Sequence, residues 1–392
     1  MNRRGQLDAV VVGGGVVGAA CALSLARIGL HVALVEARRA EPWSAATPDL
    51  RVFAIAPDNA TLLDDLGAWA AVRERCAHAY RRMRVWDAGG GGELAFDSDA
   101  LGRDQLGWIV ENGLLQERLW SLLPAAGVEV LCPARVESME QDESAIRLRL
   151  DDGRRLQSRL AIAADGAQST LRELAGLQVS VHEYRQRGVV AFVHTSGDHQ
   201  DTAWQRFLLG GPLAFLPFTE GRSSIVWTLP DAEAERVLAL DDAALGRELT
   251  NASQARLGEV ELGSGRAAFP LRRQLAAEYV AGRALVVGDA AHVVHPLAGQ
   301  GVNLGLRDVA ALQASIVQAQ SRGVAWDAAH RLARWSRERR SENAAAAYTF
   351  DTINRVFSNE QLHASLLRGP LLGLAGRVPG LANVLWRRAS GL

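Results

Sequence analysis

The period of the apolar positions changes several times along this chain, and each change marks an element. A short apolar run, Ala9-Val-Val-Val12, leads into glycines at 13, 15 and 18, after which Ala19, Ala20, Ala22, Leu23, Leu25 and Ala26 recur at helical spacing. Strand, tight turn and helix are predicted. A second run, Val32-Ala-Leu-Val35, ends in Glu36, 18 residues beyond Gly18. Gly13 permits the turn, Gly15 lets a ligand approach the backbone, and Gly18 lets helix and strand pack closely. The helix N-terminus then offers its N–H groups to a pyrophosphate, and Glu36 can accept from a ribose diol.

The same strand-to-turn pattern recurs twice. Leu160-Ala-Ile-Ala-Ala164 runs into Asp165-Gly166, followed by Ser169 and Arg172, and Ala284-Leu-Val-Val287 runs into Gly288-Asp289. Asp165 is then either a ligand-binding acid or only the cap of the next helix. A further loose glycine match, Gly263-Ser-Gly265-Arg-Ala-Ala268, meets Phe269-Pro270, where no helix can start. That match is accidental.

Other periods fill the intervals. Arg51 opens a stretch that passes into a helical pattern through Leu62, Leu63, Leu66 and Trp69. Arg82 to Trp86 and Glu93 to Phe96 alternate as a hairpin around Gly89 to Gly92, and Trp108 to Asn112 precedes a helix with Asn112 and Gln116 one turn apart. From about 180 to 270 the alternation of Gly188 to His194, Phe207 to Leu209, Leu213 to Pro217 and Ser223 to Leu229 predicts an antiparallel sheet, followed by an amphipathic helix from Asp241 to Leu257. Pro296 to Asn303 is a loop rich in backbone donors, and a long helix is expected from Leu304. The three turns fit one long ligand: glycines for the pyrophosphate, Glu36 for the adenosine ribose, Asp289 for a ribityl chain, and the 299 to 303 amides around a flavin ring.

Composition narrows the picture. A chain of 392 residues exceeds one core's usual size, so two lobes sharing a cleft are expected. A net charge of −1 supplies no field for nucleic acid. The 43 basic residues are all arginine, which excludes Schiff-base chemistry and a Walker lysine. Cys21, Cys76 and Cys132 form neither a disulfide framework nor a metal motif, and His292 with His295 lacks a third ligand in sequence, so no metal is expected. With no apolar run of membrane-spanning length and no signal core, a cytoplasmic protein is expected.

Taken together, these motifs resemble the FAD-dependent aromatic hydroxylases typified by para-hydroxybenzoate hydroxylase. Closer still, Asp49 to Ile55, Phe207 to Pro217 and Gly288 to Asp308 resemble the UbiH/UbiI-type hydroxylases of ubiquinone biosynthesis, over nearly the whole chain. The resemblance implies an α/β fold: a Rossmann-like FAD-binding domain of glutathione-reductase type, an inserted antiparallel-sheet substrate domain and C-terminal helices. The expected boundaries are 1–75, 101–180 and 273–350 for the FAD-binding parts, 76–100 for a substrate-domain hairpin, 181–272 for the substrate sheet and 351–392 for the terminal helices. It places Gly13, Gly15, Gly18, Glu36, Arg51, Asn112, Gln116, Asp165, Gly166, Gly288, Asp289, Pro296, Gly299, Gly301, Val302 and Asn303 at the cofactor. It also makes Arg206, His295 and Pro296 the candidate catalytic residues.

The implied chemistry is ring hydroxylation of a polyprenylated phenol through a flavin C4a-hydroperoxide, using NAD(P)H as a visiting co-substrate and O₂. Hydroxylation of another aromatic, or a flavin-binding scaffold without turnover, is the alternative. Trp204, Phe207, Leu213, Phe215, Leu216, Phe218 and Trp227 are candidates to line a greasy pocket or to form plain sheet core. Residues 361–392 hold Arg368, Arg377, Arg387 and Arg388 and no acid, so they suit either a membrane surface, a partner of the same biosynthesis, or packing on the core.

Overall fold

The computed structural model describes residues 7–88, 93–295 and 301–358. The expected hairpin tip at Gly89 to Gly92, Pro296, Gly299 and the tail from 361 lie outside the described residues. No helix among the described residues is long and apolar enough to cross a membrane.

Strand Leu7–Val12 lies inside an eight-stranded sheet, parallel to Val32–Val35 on one side and to Arg155–Ala163 on the other. Parallel strands Glu129–Leu131 and Ala284–Val286 extend it outward on either side. Val32–Val35 and Ala284–Val286 are buried throughout, as strands covered on both faces must be, and this explains their continuous apolar runs. Register then sets the site. Val12 stands opposite both Val35 and Ala163, and Ala163 stands opposite Val286, so the chain leaves all these strands at one edge. There it forms the glycine turn, Glu36, Asp165 and the Gly288-Asp289 turn. Helix Val16–Arg27 packs against helices Asn112–Leu122 and Gly301–Ser321.

A second eight-stranded sheet is built mainly from Val179–Thr195, Thr202–Leu208, Gly211–Pro217, Arg222–Pro230 and Val260–Ala276. The hairpin Arg82–Asp87 with Glu93–Asp97 joins its edge. The pairing of Arg82–Asp87 with Thr202–Leu208 is parallel, which corrects the expectation of a wholly antiparallel sheet. The two strands are far apart in sequence, so no tight turn dictates their relative direction. Gly263 to Ala268 lies within Val260–Ala276, paired to Val179–Thr195, and starts no helix.

Two helices, Asp231–Ala239 and Asp242–Ala252, cover one face of this sheet where a single helix from Asp241 to Leu257 was expected. Leu240 is extended between them, and the Asp241 carboxylate accepts from the Ala244 N–H at 2.6 Å to cap the second. A small sheet of Val52–Ile55, Gly107–Glu111 and Ala77–Tyr80 stands between the two lobes in chain order. Helix Ala329–Ser358 closes the described chain and packs on both large sheets.

Candidate active site

The glycine turn separates packing from ligand access. Gly13 has φ +106°, and a Cβ there would lie 2.3 Å from the Ala164 carbonyl oxygen. A Cβ on Gly18 would lie 1.9 Å from the Gly13 oxygen, so helix and strand touch there. Gly15 is different: it is exposed, caps helix Val16–Arg27, and a Cβ on it would meet nothing within 4 Å. This open cradle at a helix N-terminus, with no acid in the first turn, fits a pyrophosphate. The Glu36 carboxylate accepts from the Gly14 N–H at 2.5 Å and from the Arg38 N–H at 2.9 Å, holding it at the turn.

Neighbouring side chains fix this turn from outside. Gln116 and Trp120, successive on one helix face, both donate to the Gly14 carbonyl, at 2.8 and 2.6 Å. Sequence reading missed Trp120, although its spacing of four from Gln116 was available. Asn112 instead donates to the Asp49 carboxylate at 3.0 Å, which also accepts from the Arg51 and Gly113 N–H groups. Arg51 itself is exposed, its guanidinium 5.8 Å from the Phe53 ring centre.

Ser169 caps the next helix, accepting from the Arg172 N–H at 3.0 Å, and Asp165 accepts from the Leu171 N–H at 3.2 Å, but its Oδ1 is buried without a partner among the described residues. Burial pushes its carboxyl above the usual range, against hydrogen bonds from Ser169 and nearby backbone. Gly166 takes φ +84° beside it. Arg172 is buried and donates to the carbonyls of Ala167 and Ala290, at 3.0 and 3.1 Å, so it ties the Asp-Gly turn to the Gly-Asp turn. Asp289 is half-buried and accepts no hydrogen bond among the described residues.

Behind the Gly-Asp turn stands a group that sequence reading did not single out. Asp308, fully buried on helix Gly301–Ser321, accepts from the Gly288 N–H at 3.1 Å, His292 Nε2 at 2.6 Å, Arg339 Nε at 2.8 Å and Asn343 Nδ2 at 2.9 Å. Burial works against its charge, but His292 and Arg339 outweigh it and hold the carboxyl below the usual range. His292 is therefore spent on the fold. At the start of the same helix Asn303 accepts from the Ala56 N–H at 2.9 Å and donates to the Ala54 carbonyl at 2.7 Å, locking helix to the small sheet. Val302 is buried beside it, and Gly301 is half-buried at the helix start.

Next to that junction lies a cavity of about 90 Å³, bounded by Val52 and Ala54, by His295, and by one face of the second sheet. At a liquid share of about 30 Å³ per water, that is room for about three waters. Strand alternation decides its wall: Pro212, Ala214 and Leu216 line it, whereas Leu213 and Phe215 belong to the apolar cluster on the helix-covered face. Of the seven expected lining residues, only Trp204 and Leu216 do so. Trp227 packs with Phe215, Phe207 packs with Val85 and Leu94, and Phe218 joins the core of the first lobe.

Four polar side chains interrupt this wall: Tyr80, Gln205, Thr228 and His295. Among the described residues none of them has a side-chain hydrogen bond, and both ring nitrogens of His295 are buried without a partner. Burial pushes His295 down to about 4, with Asp351 acting in the opposite direction, so its imidazole is neutral near pH 7. Its ring packs edge-on against Tyr184, centres 5.2 Å apart. Arg206 does not join them. It is buried and donates to the Ala252 carbonyl at 2.7 Å, because its position in the strand turns it toward the covering helices.

His78, His199 and Asp201 also come close together. Both nitrogens of His199 already face backbone, Nε2 with the Phe218 carbonyl at 3.2 Å and Nδ1 with the Asp201 N–H at 3.1 Å, so the group is not a ready ion site.

A glycine cradle for a pyrophosphate, acids at the same sheet edge and a largely apolar cavity against a second sheet define an FAD-dependent monooxygenase. Residues 6–349 match the FAD binding domain family. The 3-demethoxyubiquinol 3-hydroxylase of Escherichia coli is 37% identical over 388 residues, covering 98% of each chain. The ubiquinone hydroxylase UbiL of Rhodospirillum rubrum is 35% identical over 387 residues, covering 98% of this chain and 89% of that one. Among solved structures, Pseudomonas aeruginosa PqsL in complex with 2-aminobenzoylacetate superposes with a TM-score of 0.77 at 26% identity, covering 92% of this chain and 99% of the other. The p-nitrophenol 4-monooxygenase PnpA of Pseudomonas putida shares the fold at a TM-score of 0.78 and 20% identity, over 98% of both chains. The chain belongs to the FAD binding domain family and, within it, to the hydroxylases of ubiquinone biosynthesis.

Proposed function

We propose that this protein hydroxylates the aromatic ring of a polyprenylated phenol on the route to ubiquinone, using FAD, NAD(P)H and O₂. The observation that carries the reading is the cavity against the second sheet, apolar apart from Tyr80, Gln205, Thr228 and His295, with both ring nitrogens of His295 buried without a partner among the described residues. Such groups are costly to bury unsatisfied, so a ligand that both fills the space and offers a hydroxyl suits them. The net change inserts one oxygen atom of O₂ into a ring C–H bond, while NAD(P)H supplies two electrons and the second oxygen leaves as water.

When bound, FAD supplies the activation of O₂ that no side chain of this protein can provide. Gly13, Gly15 and Gly18 shape its pyrophosphate site, Glu36 takes the ribose, and Asp289 takes the ribityl hydroxyls. Gln116 holds the glycine turn, Asn112 and Asp49 hold the segment carrying Arg51, and Asp165 with Gly166 borders the cleft. The N–H groups at Gly301, Val302 and Asn303, at a helix N-terminus that favours negative charge, would hold the ring. Pro296 and Gly299 complete the same loop by resemblance. With one such cradle among the described residues, the nicotinamide is a transient visitor. The neutral His295 accepts the hydrogen bond of the ring hydroxyl, while the apolar wall excludes water.

The decisive experiment incubates the purified protein with FAD, NAD(P)H, isotopically labelled O₂ and a short-chain prenylated phenol. Labelled oxygen in the product ring is expected. Consumption of NAD(P)H without ring label, or label in simple phenols only, overturns the reading. The basic, acid-free segment 361–392 supports a cytoplasmic protein resting on an anionic membrane surface, where such a substrate resides. Flotation with anionic liposomes checks this, and equal behaviour of the full chain and residues 1–360 defeats it.

A further inference from the structure

We propose that Gln205 is the specificity-determining residue that reads the ring oxygen of the substrate, by donating its amide N–H to it. The proposal rests on the phenol-hydroxylase reading above. Gln205 sits in the middle of strand Thr202–Leu208, opposite Ala214 on one neighbour and Val85 on the other. It is 7% exposed and belongs to the cavity wall. The small side chains of Ala203 and Ala214 stand on the same wall.

A central strand position of this kind ordinarily takes an apolar side chain, and a leucine or methionine would fill the volume without a polar cost. The amide here has no hydrogen-bond partner among the described residues, unlike Gln116 and Gln274, which bond backbone carbonyls at 2.8 and 2.9 Å. Its two N–H donors and one carbonyl acceptor therefore await a ligand. His295 bounds the same cavity, and its neutral imidazole offers one accepting ring nitrogen beside one N–H donor. A ring hydroxyl matches this pair: its O–H goes to the imidazole and its oxygen takes the amide N–H. A site built in this way rejects a ring lacking the oxygen, because two buried polar groups would stay unpaired.

The test titrates the FAD-loaded enzyme with three ligands, following the visible spectrum of the bound flavin. They are a short-chain prenylated phenol, its O-methyl ether and the same prenylated ring without oxygen. In the Gln205→Met variant, affinity for the phenol and for the ether should each fall about tenfold, the weight of one neutral hydrogen bond. Affinity for the oxygen-free ring should stay within about twofold. His295→Leu should weaken the phenol but not the ether, which has no O–H to donate. Equal loss for all three ligands in Gln205→Met, or no loss for any, overturns the proposal, since a structural role would move the three together. Gln205→Asn, which keeps the amide, provides the contrast if the methionine variant does not hold flavin: the ether, which His295 cannot read, must still be favoured over the oxygen-free ring. A wild-type enzyme that binds none of the three defeats the phenol reading instead.

Discussion

The sheet edge proposed for the flavin and the cavity against the second sheet are both assembled from distant parts of the chain, yet they are specified in opposite ways. At the flavin edge the backbone does the work: register brings Val12, Val35, Ala163 and Val286 level, and turns of fixed chemistry follow each strand. In the cavity the side chains decide, through which residue of an alternating pair faces inward. A backbone-defined site tolerates no change where elements touch, whereas a side-chain-defined site can be retuned one position at a time.

The harshest way to probe that contrast is Gly18→Ala. Its Cβ would sit 1.9 Å from a backbone oxygen of the glycine turn, which no side-chain rotation can relieve. We expect loss of folded protein and of bound FAD together, read by far-ultraviolet circular dichroism and visible absorbance. A folded, yellow variant would show that helix and strand have slack, and that the edge is less rigidly defined than its geometry implies.

Asp308→Ala comes next. The substitution leaves Arg339, His292, Asn343 and the Gly288 N–H without their shared acceptor in a fully buried place. Breaking a buried ion pair typically costs about 3–5 kcal/mol. We expect a loss of that size in urea denaturation, with weaker FAD retention because the Gly288-Asp289 turn loses its support. An Asp308→Ala protein as stable as the parent would mean that the turn holds itself.

The same contrast explains what the sequence disclosed. Strand, glycine turn and acid are local patterns, so Gly13, Gly15, Gly18, Glu36 and the two later turns could be read directly, and the three strands proved to leave at one edge. Gln116 was reached through the family resemblance, and Trp120 could have been found by counting one turn further. Asp308 could not: nothing in a helix sequence tells an acid that meets a histidine and an arginine from one that meets solvent. The cavity was harder still. Leu213, Phe215 and Leu216 look alike as a run, and only the pairing of Leu216 with Ser224 and Leu213 with Trp227 shows which face each takes. Arg206 was misplaced for the same reason, one position away from Gln205, which faces the cavity.

A third experiment uses pH to ask how dry the cavity is. In the unfolded chain His295 takes a proton near its ordinary 6.5, but burial keeps the folded imidazole neutral down to about 4. Between those values the unfolded state binds the extra proton, so the stability present above pH 6.5 drains as pH falls toward 4. The slope integrates to about 3 kcal/mol. Denaturation between pH 4 and 7 should show this fall, and His295→Leu should flatten that part of the curve. An identical slope in the variant would place water around the imidazole and weaken the case for a dry ring site.

The smallest effect on stability, and the most telling for the cofactor, is expected from Gly15→Ala. Gly15 has φ −65° and ψ 179°, a conformation open to any residue, and its Cβ would meet nothing within 4 Å. Replacing a glycine cap by alanine costs the helix about 1 kcal/mol or less. Yet the added methyl would stand in the open cradle where the pyrophosphate is to approach the backbone. Folding and flavin binding should therefore separate: nearly unchanged thermal unfolding of the apoprotein, and at least tenfold weaker FAD, measured by the fluorescence of flavin released on dilution. Gly18→Ala, three residues away, should lose both together. If Gly15→Ala binds FAD as tightly as the parent, the cradle is not the pyrophosphate site, and the one glycine of this turn that packs against nothing loses its reason to be a glycine.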